Sequence, residues 1–211
     1  MEKIKGIHKE TDHKYLNLYS LDIAKSNNGT GTYQVASRAA RIEDLKLVTK
    51  KNTPNGVIIY SLYGEKKDRV VLIRQYRYSL DDYIYEFPAG LVDEGENYHE
   101  AGIRELKEET GLSFTPVTVG EEYQKPFFTT VGMTDESCAT VYGYASGEPS
   151  RNFQEETEEI EIVLADKKEV LRILKEENVA IMCAYMLMHF LSSDEGKAFD
   201  FLNPKQIEPL N

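Results

Sequence analysis

Apolar and polar positions alternate in the first quarter of the chain. From Tyr15 to Ser37, YLNLYSLDIA and TYQVAS flank the polar stretch KSNNGTGT, predicting two strands joined around an Asn/Gly loop. KNTPNG, Lys51 to Gly56, is polar and carries Pro54 and Gly56, so it predicts a boundary between residues 1–52 and 53–211. Beyond it, GVIIYSLY and RVVLIRQYRY are rich in β-branched and aromatic residues and predict strands, as does YIYEFPAG, ended by Pro88 and Gly90. A helix is predicted from about Tyr98 to Thr110, closed by Gly111 in the C′ position. Further strands are expected in VTVGEEYQKPFF and CATVYGYA. The end reads as helical: DKKEVLRILKEEN opens with a capping box of Asp166 and Glu169, and VAIMCAYMLMHFL is apolar on most faces. Strands and helices that do not strictly alternate predict an α/β or α+β fold with a mixed sheet.

Within this pattern the segment GLVDEGENYHEAGIRELKEETGL, Gly90 to Leu112, carries Glu94, Glu96, Glu100, Glu105, Glu108 and Glu109 against only Arg104 and Lys107. Like charges one turn apart cost a helix stability, so the crowding asks for a compensating charge. At 100° per residue, Glu105, Glu108 and Glu109 fall within an arc of roughly 100°, with Ile103 and Leu106 expected on the opposite, buried side. Glu96 precedes the helix, where a negative charge suits the N-terminal dipole. Small Ala101 and Gly102 flank the acidic face, and glycines bound the loop PAGLVDEGE that leads in. One reading is a solvated acidic face. The other is a set of hard anionic oxygens on a rigid helix, the donor set that Mg²⁺ or Mn²⁺ takes.

Composition narrows the partners. The chain has 211 residues, 25 basic and 36 acidic, for a net charge of −11, and such a surface repels a phosphate backbone. General nucleic-acid binding is therefore not expected, whereas a small phosphorylated ligand can be held if a cation supplies positive charge. No apolar run approaches the ~20 residues that span a bilayer, and MEKIKGIHKE lacks the apolar core of a signal peptide. Cys138 and Cys183 stand apart with no CxxC or Cys/His cluster, which fits reduced thiols in a cytoplasmic protein better than a disulfide or zinc site.

The acidic segment resembles the Nudix box: Gly90, five residues, Glu96, seven residues, Arg104-Glu105-Leu106, Lys107, Glu108-Glu109, Thr110, Gly111-Leu112. The resemblance implies an α/β/α sandwich around a mixed sheet and Mg²⁺-dependent hydrolysis, with Mn²⁺ as a substitute, of a nucleoside diphosphate linked to another moiety. It implies Glu105 and Glu109 as principal metal ligands, Glu108 assisting, and the Ala89 carbonyl as a further ligand. Arg104 and Glu96 would form a structural ion pair, and Gly90 and Gly111 would shape the turns. The flanking RQYRYSLDDYIYEFPAGLVDEGE is similar to the ADP-ribose pyrophosphatase branch, in which Arg77 matches a substrate-contacting arginine; an exposed strand arginine is the other reading. Members of that branch dimerise through an added N-terminal β region, so a homodimer is expected. In TYQVASR, Tyr33 would stack on adenine and Arg38 reach the ligand, although Tyr33 also reads as a tyrosine packed in a sheet. TVGMTDES is similar to the branch's S-P-G-x-x-x-E stretch, keeping Gly132 and Glu136 but with Val131 in place of proline. In QEETEEIEI, Glu156 or Glu158 matches a loop glutamate that activates or orients water. These matches imply cleavage of ADP-ribose to AMP and ribose 5-phosphate, with another nucleotide sugar such as GDP-mannose, or a non-catalytic nucleotide-sugar-binding module, as alternatives.

Overall fold

The computed structural model describes residues 3–27, 29–154 and 159–202. Within them the chain forms two compact units, the first of residues 1–55 with 126–138, the second of 56–125 with 139–211. The sequence boundary after Asn52 leaves 126–138 with the larger part, whereas the structure gathers it with the N-terminal residues.

In the first unit, β1 (Ile4–Lys9), β2 (Asn17–Ala24) and β3 (Thr30–Ser37) form an antiparallel sheet in that order. The alternation in the hairpin places Tyr19, Leu21 and Val35 in the core. β1 is an addition to the sequence reading, because IKGIHK is short and interrupted by lysines and Gly6. A short helix α1 (Lys46–Thr49) follows β3. Lys46 ties the unit together: its Nζ donates to Asn55 Oδ1 at 2.7 Å and to Ser137 Oγ, and its backbone N–H reaches Asp135 at 3.3 Å. Burial lowers the pKa of this ammonium.

The second unit is built on a sheet in the order β11 (Ile160–Ala165), β5 (Arg69–Arg77), β4 (Gly56–Tyr63), β10 (Ser137–Ser146), β8 (Ser113–Pro116). β6 (Asp82–Glu86) pairs with β5, and β7 (Ala89–Leu91) pairs with β4. β6 thus ends just before Pro88, as expected, whereas Gly90 lies inside the further strand β7. The chain turns at Phe87–Pro88 and resumes one strand over, with the Pro88 carbonyl accepting from Ile59 N–H at 2.8 Å. VTVGEEYQKPFF is not a strand: Gly120 and Pro126 punctuate it, leaving a four-residue helix α3 (Glu121–Gln124) and a two-residue β9 (Phe127–Phe128). β9 pairs with Ser137 and Cys138, at the start of β10 and within the first unit.

Both faces of the central strands are covered, which gives the mixed α/β class expected. On one face Val57, Ile59, Val71 and Val141 pack with Ala101 and Leu106 of α2 (Tyr98–Thr110). On the other, Tyr60 meets Phe87, Phe199 and Tyr142, with ring centroids 4.9, 5.2 and 5.9 Å apart. Desolvation raises the Tyr142 hydroxyl to about 12. Phe201 joins this aromatic layer to His189 of α5 (Ile181–Ser192). α4 (Lys167–Glu176) precedes α5; Asp166 caps it by accepting from Glu169 N–H at 2.8 Å. Glu169 does not close the capping box, because its carboxylate is taken by Arg172 at 2.7 Å.

Candidate active site

α2 carries the acidic segment and owes its position to both ends. Asn97 caps it by accepting from His99 N–H at 2.8 Å. Gly111 ends it at φ +72°, where a Cβ would lie 2.7 Å from the Ser150 carbonyl oxygen. That left-handed conformation and close approach require glycine. The buried face of α2 comprises Ala101, Gly102, Leu106, Glu109 and Thr110. Ala101 and Gly102, respectively about 40° from Glu105 and about 20° from Glu109 around the helix, flank the acidic side as expected and also face the sheet; a Cβ on Gly102 would touch Val141 at 3.4 Å. Leu106 is buried as expected, but Ile103 is half-exposed. Leu106 lies about 60° from Glu109 around the helix, so the buried and acidic arcs overlap instead of opposing one another.

That overlap sets Glu109 apart. Its residue is 3% exposed, and Oε2 accepts the Ala89 backbone N–H at 3.1 Å. The backbone carbonyl of the same residue accepts from Gln154 Nε2 at 2.6 Å. Glu105 lies against Gly90 so closely that a Cβ there would meet its carboxyl carbon at 1.9 Å. Gly90 is required for that space. Glu108 is the most exposed of the three, its side chain retaining 46% of its surface against 14% for Glu105. Ala89, Gly90, Leu91, Asp93, Arg104, Glu105 and Glu108 line an open cleft of about 470 Å³.

Arg104 organises these carboxylates. Its Nε and Nη2 grip Glu96 in a fork, both at 3.0 Å, and Nη2 also donates to the Leu91 carbonyl at 3.0 Å. Nη1 donates to Glu105 Oε1 at 2.8 Å and to Glu108 Oε2 at 3.0 Å. Glu96 additionally accepts Asp93 N–H at 3.0 Å, pinning the entry turn. The Arg104 pairing, then this backbone bond, hold the Glu96 carboxyl below its ordinary pKa; Glu96 in turn raises that of Arg104. The hard carboxylate oxygens are the donor type a divalent cation takes. Among the described residues, however, no three acidic, histidine or cysteine side chains converge as a ready-made ion site.

The remaining candidates divide between the units. Arg77 is in the second, its Nε bonded to Glu86 Oε2 at 2.7 Å. Glu86 pairs across the strands with Ile73, which shares the parity of Val71, so both charges stand on the face that α2 covers. Sequence reasoning passed over Glu86, although the E of EFPAG was in view. Tyr33, Arg38 and Gly132 lie in the first unit, where Tyr33 and Gly132 are in contact and Arg38 pairs elsewhere. Tyr33 Oη donates to the Gly132 carbonyl at 2.6 Å, and Arg38 Nε pairs with Glu136 at 2.7 Å. Tyr33 keeps 41% of its surface exposed, so it is not a core tyrosine. Glu156 and Glu158 lie outside the described residues.

A family model described as the NUDIX domain matches residues 52–182. The chain belongs to the Nudix family. Its relatives include putative nudix hydrolase 2 of Caenorhabditis elegans, 34% identical over 119 residues, which are 54% of this chain and 52% of that protein. The chain thus spans about half the length of that relative. The ADP-ribose pyrophosphatase of Bacillus subtilis is 26% identical over 152 residues, 65% of this chain and 76% of that protein. Among solved structures, an ADP compounds hydrolase shares the fold with a TM-score of 0.59, at 21% identity over 82% of each chain.

Proposed function

We infer that this protein hydrolyses the pyrophosphate bond of a nucleoside diphosphate sugar in a divalent-cation-dependent reaction, with ADP-ribose and water giving AMP and ribose 5-phosphate. The observation that carries this reading is the α2 carboxylate set: Glu109 buried against the Ala89 N–H and Glu105 seated on Gly90, beside an open cleft. Glu105, Glu108 and Glu109 with the Ala89 carbonyl are the residues to hold Mg²⁺ or Mn²⁺. Such an ion supplies charge neutralisation at the phosphoryl oxygens and water of lowered pKa. Arg77 shares the α2 face of the sheet and offers its guanidinium to the substrate phosphates. Glu156 or Glu158 takes the proton of the attacking water. The choice of ADP-ribose is supported by the names of relatives: that of B. subtilis, and a mouse ADP-sugar pyrophosphatase that is 48% identical over 72 residues, a third of each chain.

The first unit is assigned the nucleoside and a homodimer contact in a cytoplasmic enzyme. The half-exposed Tyr33 ring, anchored through its hydroxyl, offers a flat face to adenine. Exposed Phe127, Phe128, Val131 and Met133 in the same unit supply apolar surface for a second copy. The deciding experiment is a panel of nucleoside diphosphate derivatives with Mg²⁺, reading phosphate release after a phosphatase. ADP-ribose is expected to be turned over fastest; faster cleavage of GDP-mannose moves the assignment to that sugar, and no cleavage of any member leaves a binding module.

A further inference from the structure

Arg104 makes two kinds of contact, and only one of them fastens the fold. Through Nε and Nη2 it holds Glu96 and the Leu91 carbonyl, tying α2 to the turn before it. Through Nη1 it donates to Glu105 Oε1 at 2.8 Å and Glu108 Oε2 at 3.0 Å, two carboxylates from the cation set. All five guanidinium N–H groups are thereby used. The clamp on Glu96 and Leu91 is complete without the Nη1 pair. While Nη1 draws Glu105 and Glu108 towards itself, the described residues present no converged group of three such ligands. Without some cation the carboxylates would repel one another within one helical turn.

Building on the divalent-cation reading above, we propose that Arg104 is a positioning residue that stands in for the ion: its Nη1 N–H groups hold Glu105 and Glu108 when the ion is away and release them when it binds. The Glu96 fork stays closed throughout and keeps the guanidinium within reach for the return. The stand-in spares the ion-free protein the carboxylate repulsion, and it weakens ion binding by the cost of breaking two charge-assisted bonds.

The test measures Mn²⁺ affinity by electron paramagnetic resonance on wild type, Arg104→Gln and Glu96→Gln, with melting temperatures in EDTA. Arg104→Gln is expected to bind Mn²⁺ about tenfold tighter, the scale on which groups around a metal site alter affinity, and to melt lower without metal. Glu96→Gln leaves the Arg104 charge to Glu105 and Glu108, so it is expected to bind Mn²⁺ more weakly. Opposite signs for the two partners of one ion pair support the stand-in; unchanged or weaker binding by Arg104→Gln overturns it. Wild type gives an answer even if Arg104→Gln does not fold. In ¹H–¹⁵N spectra of the arginine side chains, Mg²⁺ saturation is expected to expose the Nη1 protons to exchange while Nε–H stays protected. Protection of both in the Mg²⁺-loaded protein overturns the proposal and leaves the cation reading intact. If wild type binds neither ion, the cation reading falls, and the stand-in falls with it.

Discussion

Gly90 and Glu109 show how single atoms decide this site. A methyl at Gly90 would lie 1.9 to 2.3 Å from the Glu105 carboxyl group, the mobile end of a side chain, so Gly90→Ala should fold and displace the carboxylate. Misplacing a reacting constellation by about 1 Å costs on the order of 10² in rate, so kcat should fall by about that factor with little change in melting temperature. Unaltered kinetics would show that Glu105 is not needed where it sits. Glu109→Gln keeps an acceptor for the Ala89 N–H and removes a ligand charge. Mg²⁺-dependent activity should fall by orders of magnitude, while stability in EDTA should be no lower than wild type. The Glu96–Arg104 pair adds a pH signature. A carboxylate held below its unfolded value, ~4.3, contributes stability that is fully present above that value and is lost as pH falls through the folded one. Glu96→Gln should therefore melt below wild type at pH 7, and the difference should close in acid. A gap that stays constant down to pH 3 would show that the pair does not stabilise the fold.

At the scale of elements, legibility followed how strongly local chemistry fixed each segment. α2 was readable to its ends because its cap and its glycine stop are written in the sequence, and β4, β5 and β10 because their branched and aromatic runs suit buried strands. β1 was missed because its pairing lies with β2, and β7 because a proline reads as a stop when the chain in fact changes neighbours. The sequence pointed to the glutamates of α2 as candidates but not to the way Arg104 divides its N–H groups between a clamp and these carboxylates. That division depends on side-chain geometry that no spacing encodes. α4 offers a separate test. Asp166 caps the helix while Glu169 is spent on Arg172 at a half-exposed position, where ion pairs contribute little. Asp166→Ala should cost about 1 kcal/mol, a fall of roughly 2–4 °C in Tm for a chain of this size. Glu169→Ala should cost less; the reverse order would mean that the Arg172 network, not the cap, sets the helix.

For the whole molecule, the first unit is made of two stretches far apart in sequence. Lys46 meets Asp135, Asn55 Oδ1 accepts the Ser137 N–H at 3.1 Å, and Tyr33 meets Gly132 across 99 positions. Tyr33→Ala should raise KM for ADP-ribose by the equivalent of ~1–3 kcal/mol if the ring stacks on the base, with kcat little changed, while Tyr33→Phe, which lacks the tether to Gly132, should be milder. A lowered Tm with unchanged KM would reduce the residue to a fastener of the 129–136 loop. The same arrangement sets an order of events during synthesis. A ribosome makes the three-stranded sheet first, yet that sheet lacks its second stretch until residue 138 has emerged, after α2 has been made. The N-terminal strands must therefore wait while residues 56–138 are made, with Tyr33 lacking Gly132 and Lys46 lacking Asp135 and Ser137. A nascent chain arrested short of Pro126 should have these strands open to protease, and one arrested well past Ser146 should protect them.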